Sequence, residues 1–344
     1  MSKSILIFFL ILPWKLNSVA ADIAGQQPNI AIDGKGVIRM VYGEGEKIFV
    51  ITSVNNGSTF SKPDQVGQIT GMHLGHTRGP QIASSKNYSI ITAIDKEGSI
   101  HSYKLKHSNK SWAKSAMVND HNGSAVEGLM ALTADQEDNF YATWLDIRIG
   151  TKNNIYFSSI NGKQPAWGKN LLVYKSPEGH TCECCKPNIT FNNNKLVIGF
   201  RNWVLGSRDI YYAVSGNKGK TFSAPKKSGK GTWQLNACPM DGGGLAINES
   251  GIVSAAWRRN SDVFYSTGSQ PEQKLGSGRD VSMAQSKGRT VVAWQDKNKI
   301  QIMNLNTKRT TEVGTGVSPR VYFLPNGKAI CVWEDYKKIR YKVI

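Results

Sequence analysis

His180-Thr-Cys182-Glu-Cys184-Cys185 places an imidazole, a carboxylate and three of the chain's five cysteines within one short stretch. A fourth thiol, Cys238, stands in Cys238-Pro-Met240-Asp241 with a thioether two places on. Soft sulfur donors suit copper or zinc, so Cys182, Cys184, Cys185 and Cys238 form a candidate metal site, with His180, His76 and Met240 as further donors. Two other readings fit the same residues. Cys238 can pair with one of the three cysteines and leave the others reactive. Alternatively, one disulfide joins two parts of the fold and the remaining thiols are buried. Cys-x-Cys-Cys is not a zinc-knuckle spacing, so it does not choose among the three. Cys331, in Ala329-Ile-Cys-Val-Trp333, is flanked by apolar residues and reads as a core thiol.

Other reactive side chains occupy comparable places. His73, His76 and Arg78 lead into Pro80, His121 and Glu127 precede Gly128, Arg279 and Asp280 precede Val281, and Arg320 follows Pro319. Each stands at the head of a short apolar run. A unit of about 40 to 55 residues repeats these runs. Its copies begin at Pro28, Pro80, near Gly128, at Pro187, at Gly244, near Val281 and at Pro319. Several copies end a later run in Trp-x-Asp, as in Trp144-Leu-Asp146, Trp294-Gln-Asp296 and Trp333-Glu-Asp335.

The runs are short, rich in β-branched and aromatic residues and bounded by turn formers, so they are strands. No long segment has a helical period. A single four-stranded sheet cannot bury both faces, but a ring of such sheets can, and a repeat of this length with about four strands predicts a β-propeller. The expected fold is all-β, with seven blades of four antiparallel strands; six blades is the alternative. The seventh unit lacks its last strand, which residues just after position 21 can supply. Loops leading into the innermost strands of a propeller share one end of its axis. The four cysteines above and His73, His76, His121 and His180 therefore converge on an axial pocket.

Residues 1–21 read as a signal peptide, with Lys3, an apolar run from Ile5 to Pro13 and small residues at Ser18-Val-Ala20. Residues 22–344 then form one propeller domain, secreted or periplasmic. No other segment is long and apolar enough to span a bilayer, so no transmembrane segment is expected after cleavage. The formal net charge of +18 is spread without a basic block. With export, this excludes nucleic acid and leaves an acidic glycan, a small molecule or a metal as ligand of a monomer.

Two hairpins share Ser-x-Asn-x-Gly-x-Thr-Phe, at Ser53 to Phe60 and Ser215 to Phe222, and Ser159-Ile-Asn161-Gly162 is a weaker copy. They resemble the Asp-box, or BNR repeat, of the sialidase superfamily, with Asn in the usual Asp place. In that family the box is structural. The resemblance covers most of the mature chain at the level of repeats. Arg78-Gly-Pro80 resembles the family's Arg-x-Pro element, and Asp146-Ile-Arg148 and Arg208-Asp209 its Asp-with-Arg pattern. The resemblance implies an exo-α-sialidase type of glycoside hydrolase. Arg78, Arg279 and Arg320 would then clamp a substrate carboxylate, with Glu127, Asp146 and Arg148 beside them. Sialidase sites carry no Cys-x-Cys-Cys loop, so this chain resembles a thiol-bearing subgroup. The leading expectation is a propeller with a thiol-rich copper or zinc site. An exo-acting glycosidase and a non-catalytic glycan- or protein-binding propeller are the alternatives.

Overall fold

The computed structural model describes residues 23–268 and 270–344. The expected signal peptide lies outside the described residues. The described chain forms seven four-stranded antiparallel sheets, so the fold is a seven-bladed β-propeller. Among the described residues no helix is long and apolar enough to cross a membrane.

Each blade starts at the axis. The innermost strands are Gln26–Ile32, Gln81–Ser84, Met130–Ala134, Asn188–Asn192, Gly244–Ile247, Arg279–Ser286 and Val317–Phe323. Each touches its neighbours around the ring, and together they wall one axial channel. Blade four continues outward through Lys195–Arg201, Ile210–Ser215 and Lys226–Lys227.

The ring closes as the sequence predicts. Ile23–Ala24 is the outer strand of the seventh blade, with Ile23 opposite Ile339 and Ala24 opposite Lys338. Glu334, next to the repeated Trp333, reinforces the join by accepting hydrogen bonds from Gln26 Nε2 at 3.1 Å and Gln27 Nε2 at 3.2 Å.

The core lies between blades. Trp257, Trp294 and Trp333 are buried, and each faces a glycine on the outer part of the preceding blade. A Cβ at Gly229 would fall 2.7 Å from Trp257, at Gly276 3.0 Å from Trp294, and at Gly314 2.5 Å from Trp333. The indoles fit because the facing residue has no side chain.

The two Ser-x-Asn-x-Gly turns fold alike. Ser53 Oγ accepts the Gly57 N–H at 3.0 Å, and Asn55 Oδ1 accepts the Thr59 N–H at 3.0 Å. Ser215 and Asn217 do the same for Gly219 at 2.9 Å and Thr221 at 3.0 Å. Side chains thus satisfy turn N–H groups that the strands leave unpaired.

Candidate functional site

The loop before the inner strand of blade four packs directly on the matching loop of blade five. A Cβ at Gly242 would lie 1.9 Å from the Lys186 carbonyl oxygen, so glycine alone permits this approach. Asn188 Nδ2 donates to the Gly242 carbonyl at 3.0 Å across the same seam. The contact brings Cys238 to the Cys-x-Cys-Cys loop, where it forms a disulfide with Cys184. Closing a loop of 54 residues stabilises the fold by about 4 kcal/mol in the chain-entropy view.

Cys182 and Cys185 remain thiols. Their sulfurs lie 3.2 Å apart, and Cys182 Sγ lies 3.8 Å from Cys184 Sγ. All three sulfurs are buried and Met240 packs against them. The pairing makes a direct expectation. Protein unfolded without reductant exposes three titratable thiols, Cys182, Cys185 and Cys331. A count of five with a thiol reagent refutes the pairing.

Two guanidinium groups surround this pair. Arg208 Nη1 donates to Cys182 Sγ at 2.9 Å. Its plane lies over Trp203, 4.1 Å from the ring centre. Arg201 is 1% exposed. It donates to the carbonyls of Asp241 at 2.9 Å, Arg208 at 2.6 Å and Arg258 at 3.1 Å. Neither arginine forms an ion pair with a carboxylate among the described residues. Buried charge demands compensation, and the Cys182 thiolate provides it. The hydrogen bond shared with Cys185 and, against the opposing effect of burial, the two arginines and the Cys184 N–H bring the Cys182 pKa down to about 6. Burial and the neighbouring thiolate hold Cys185 well above the ordinary thiol range.

The expected nitrogen donors do not join the sulfurs. His180 Nδ1 faces Glu183 Oε1 at 3.0 Å, and its ring stacks on Trp203. His76 is exposed. Among the described residues, the groups close enough to share an ion here are Cys182, Cys184 and Cys185. The disulfide takes Cys184 and Cys238 out of the expected thiolate set.

The arginines of the sialidase resemblance also separate. Arg78 turns to blade three, donating from Nε to the Glu127 carbonyl at 2.5 Å, with Nη2 3.4 Å from the Glu127 carboxylate. The Arg279 side chain is 45% exposed and sits 3.6 Å from Asp280. Of the three, Arg320 lines the axial channel. Asp146 is wholly buried, accepting from Arg148 Nε at 2.9 Å, Trp144 Nε1 at 2.8 Å and Ser124 Oγ at 2.7 Å. Arg148 also holds Asp120 at 2.7 Å. With its lone pairs so used, the Asp146–Arg148 pair is a clamp within the fold and lies outside the channel wall.

The channel encloses about 620 Å³. At the end where the inner strands begin, Lys186 reaches from blade four to blade two, donating from Nζ to Gln81 Oε1 at 2.5 Å. Asn29 Nδ2 donates to the same oxygen at 2.8 Å, and the half-buried Tyr322 donates from its hydroxyl to Asn29 Oδ1. Burial, with Arg320 nearby, pushes the Lys186 amine well below the ordinary lysine range. An adjoining cleft holds Asp241, Asp280 and Thr77. Burial and the neighbouring Asp241 raise the Asp280 carboxyl to about 6, against the pull of Arg279, Arg320 and Arg258.

Sequence reasoning missed Lys186 and Arg201 as site residues. A signal for Arg201 exists. The third, sixth and seventh units end their second strand in Trp-x-Asp, while the fourth reads Phe200-Arg201-Asn202. A basic residue closing an apolar strand marks a charge that the fold must compensate.

No protein-family model matches the chain, and no curated protein is similar to it at a significant level. Solved structures do resemble it. A polysaccharide lyase superposes with a TM-score of 0.59 at 10% identity, covering 94% of this chain and 90% of the other. An ulvan lyase, also a polysaccharide lyase, gives 0.57 at 9% identity over 94% of each chain. A mutant NanB sialidase from Streptococcus pneumoniae gives 0.50 at 12% identity, covering 94% of this chain and 69% of that one. These likenesses establish a shared propeller fold.

Proposed function

We propose that this chain is an exported, sialidase-like propeller that binds a thiophilic d10 metal ion, Cu(I) before Zn(II). The proposed ligands are Cys182, Cys185 and the Met240 thioether. The observation that carries this reading is the buried Cys182–Cys185 pair beside two arginines that lack carboxylate partners among the described residues. Two thiolates on a monovalent ion leave one net negative charge, which Arg201 and Arg208 are placed to balance. With Cys184 held by Cys238, the donors left are two thiols and a thioether, a low-coordinate soft set suited to Cu(I). Zn(II) ordinarily takes four ligands, and the imidazoles that would complete them point elsewhere. When bound, the ion supplies a soft acceptor. Arg208 orients the Cys182 sulfur, and the seam between blades four and five excludes water.

Titration of the anaerobic protein with Cu(I) against a chromophoric chelator tests this. The expected result is about one tightly held equivalent. Copper that leaves entirely with the chelator sinks the reading. A glycan ligand is the second reading. It is favoured by the polar channel and by structural neighbours whose names describe lyases and a sialidase.

A further inference from the structure

We infer that the mouth of the axial channel is an oxyanion site, in which Lys186 and Arg320 together bind a carboxylate, sulfate or phosphate group. The inference is independent of the metal proposed at the thiols.

Seven strands wall the channel, and its lining holds two basic residues, Lys186 and Arg320, and no carboxylate. Lys186 is buried. An ammonium has three donors, and this one has a single acceptor, the Gln81 amide oxygen, already shared with Asn29. The Arg320 side chain makes no hydrogen bond or ion pair among the described residues, and its guanidinium offers a planar fork. The nearest acids, Asp241 and Asp280, share a small cleft with both residues, and Arg320 acts on Asp280 through its charge, but neither acid forms an ion pair with Lys186 or Arg320 among the described residues. Asp241 accepts the Gly243 N–H at 3.0 Å on one oxygen and the Asp280 N–H at 2.8 Å on the other. Asp280 sits with Arg279 at 3.6 Å.

Burial disfavours the charged form of an amine that has no anion beside it, and a bound oxyanion would favour the ammonium. An oxyanion at the mouth would meet the free Lys186 donors, the Arg320 fork and the neutral donor Asn188, which also lines the wall. The cavity, about 620 Å³, accommodates a ligand of sugar size behind that group. An acidic sugar and a free inorganic anion present the same chemistry to these two residues, so the test separates them.

Calorimetric titration with glucuronate, inorganic phosphate, inorganic sulfate and neutral glucose decides the matter. The wild-type protein is expected to bind at least one of the anions and not glucose. Glucuronate alone identifies a sugar acid, and phosphate or sulfate alone identifies a free inorganic anion. Lys186→Met keeps the aliphatic stem and removes a buried charge, so it is expected to fold while weakening the anion at least about tenfold. Arg320→Gln, changing a less buried residue, is expected to weaken it similarly. Both variants should keep wild-type circular dichroism and copper uptake, which separates this site from the thiols. No binding of any anion at millimolar concentration, equal binding of glucose and glucuronate, or wild-type anion affinity in a folded Lys186→Met would each overturn the inference.

Discussion

Arg201→Met lowers the stability of the metal-free protein by about 3–5 kcal/mol, the cost of breaking a buried charge network. The methionine fills most of the space but donates nothing. The carbonyls of Asp241, Arg208 and Arg258 lose a buried donor, and unsatisfied buried acceptors are costly. The Cys182 thiolate also loses one of its two compensating cations. Denaturant unfolding followed by tryptophan fluorescence measures the change. A loss under about 1 kcal/mol contradicts the network, because ordinary surface substitutions fall within about half that value. Adding Cys182→Ser to Arg201→Met should cost less than the sum of the single changes, since the second removes the charge that the first leaves exposed.

Cys182→Ser is expected to weaken Cu(I) binding by about a hundredfold or more, since a hydroxyl is a hard, weakly acidic replacement for a thiolate. Cys331→Ala, which alters a core thiol on the last blade, leaves copper binding unchanged. The double change Cys184→Ala with Cys238→Ala keeps copper binding but loses the staple, with a stability cost of about 4 kcal/mol. Loss of copper in the staple variant at full folding would instead make Cys184 or Cys238 a ligand.

The same serine variant has a pH signature without metal. The folded Cys182 pKa of about 6 lies below the free thiol value of 9.0. The unfolded chain therefore binds more protons across that interval, so stability rises with pH from 6 to 9 and falls as pH drops through 6. Cys185 is shifted the other way, above 9.0, so its contribution declines only in more alkaline solution. Cys182→Ser should flatten the rise between pH 6 and 9. An unchanged slope assigns it to other groups.

The blade pattern was legible in the sequence because it is local. Alternation of β-branched and aromatic residues with turn formers sets each strand, and the Trp-x-Asp endings mark where a strand meets its neighbour. The missing strand of the last unit was legible for the same reason, since a sheet one strand short leaves a row of unpaired backbone groups that Ile23–Ala24 meets. The two Ser-x-Asn-x-Gly turns carry their whole hydrogen-bond network within a few residues. The repeat also led to an expected axial pocket of cysteines and histidines, but none of these residues lines the channel.

Which of the cysteines pair depended on contacts between blades. Cys-x-Cys-Cys and Cys238 are 54 residues apart at the disulfide, and which sulfurs meet is fixed by how closely Gly242 lets the two loops approach. The histidines looked like ligands by proximity in sequence, but packing on Trp203 and solvent access directed them elsewhere. Arg78 and Arg320 both stand within two places of a proline, yet one faces a neighbouring blade and the other the axis. Lys186 had no local signal at all. Its neighbours in sequence are cysteines and a proline, while its partner, Gln81, stands two blades away. A strand's alternation records which face is buried. It does not record what lies opposite across a ring, and at this end of the axis that decides which side chains can act together.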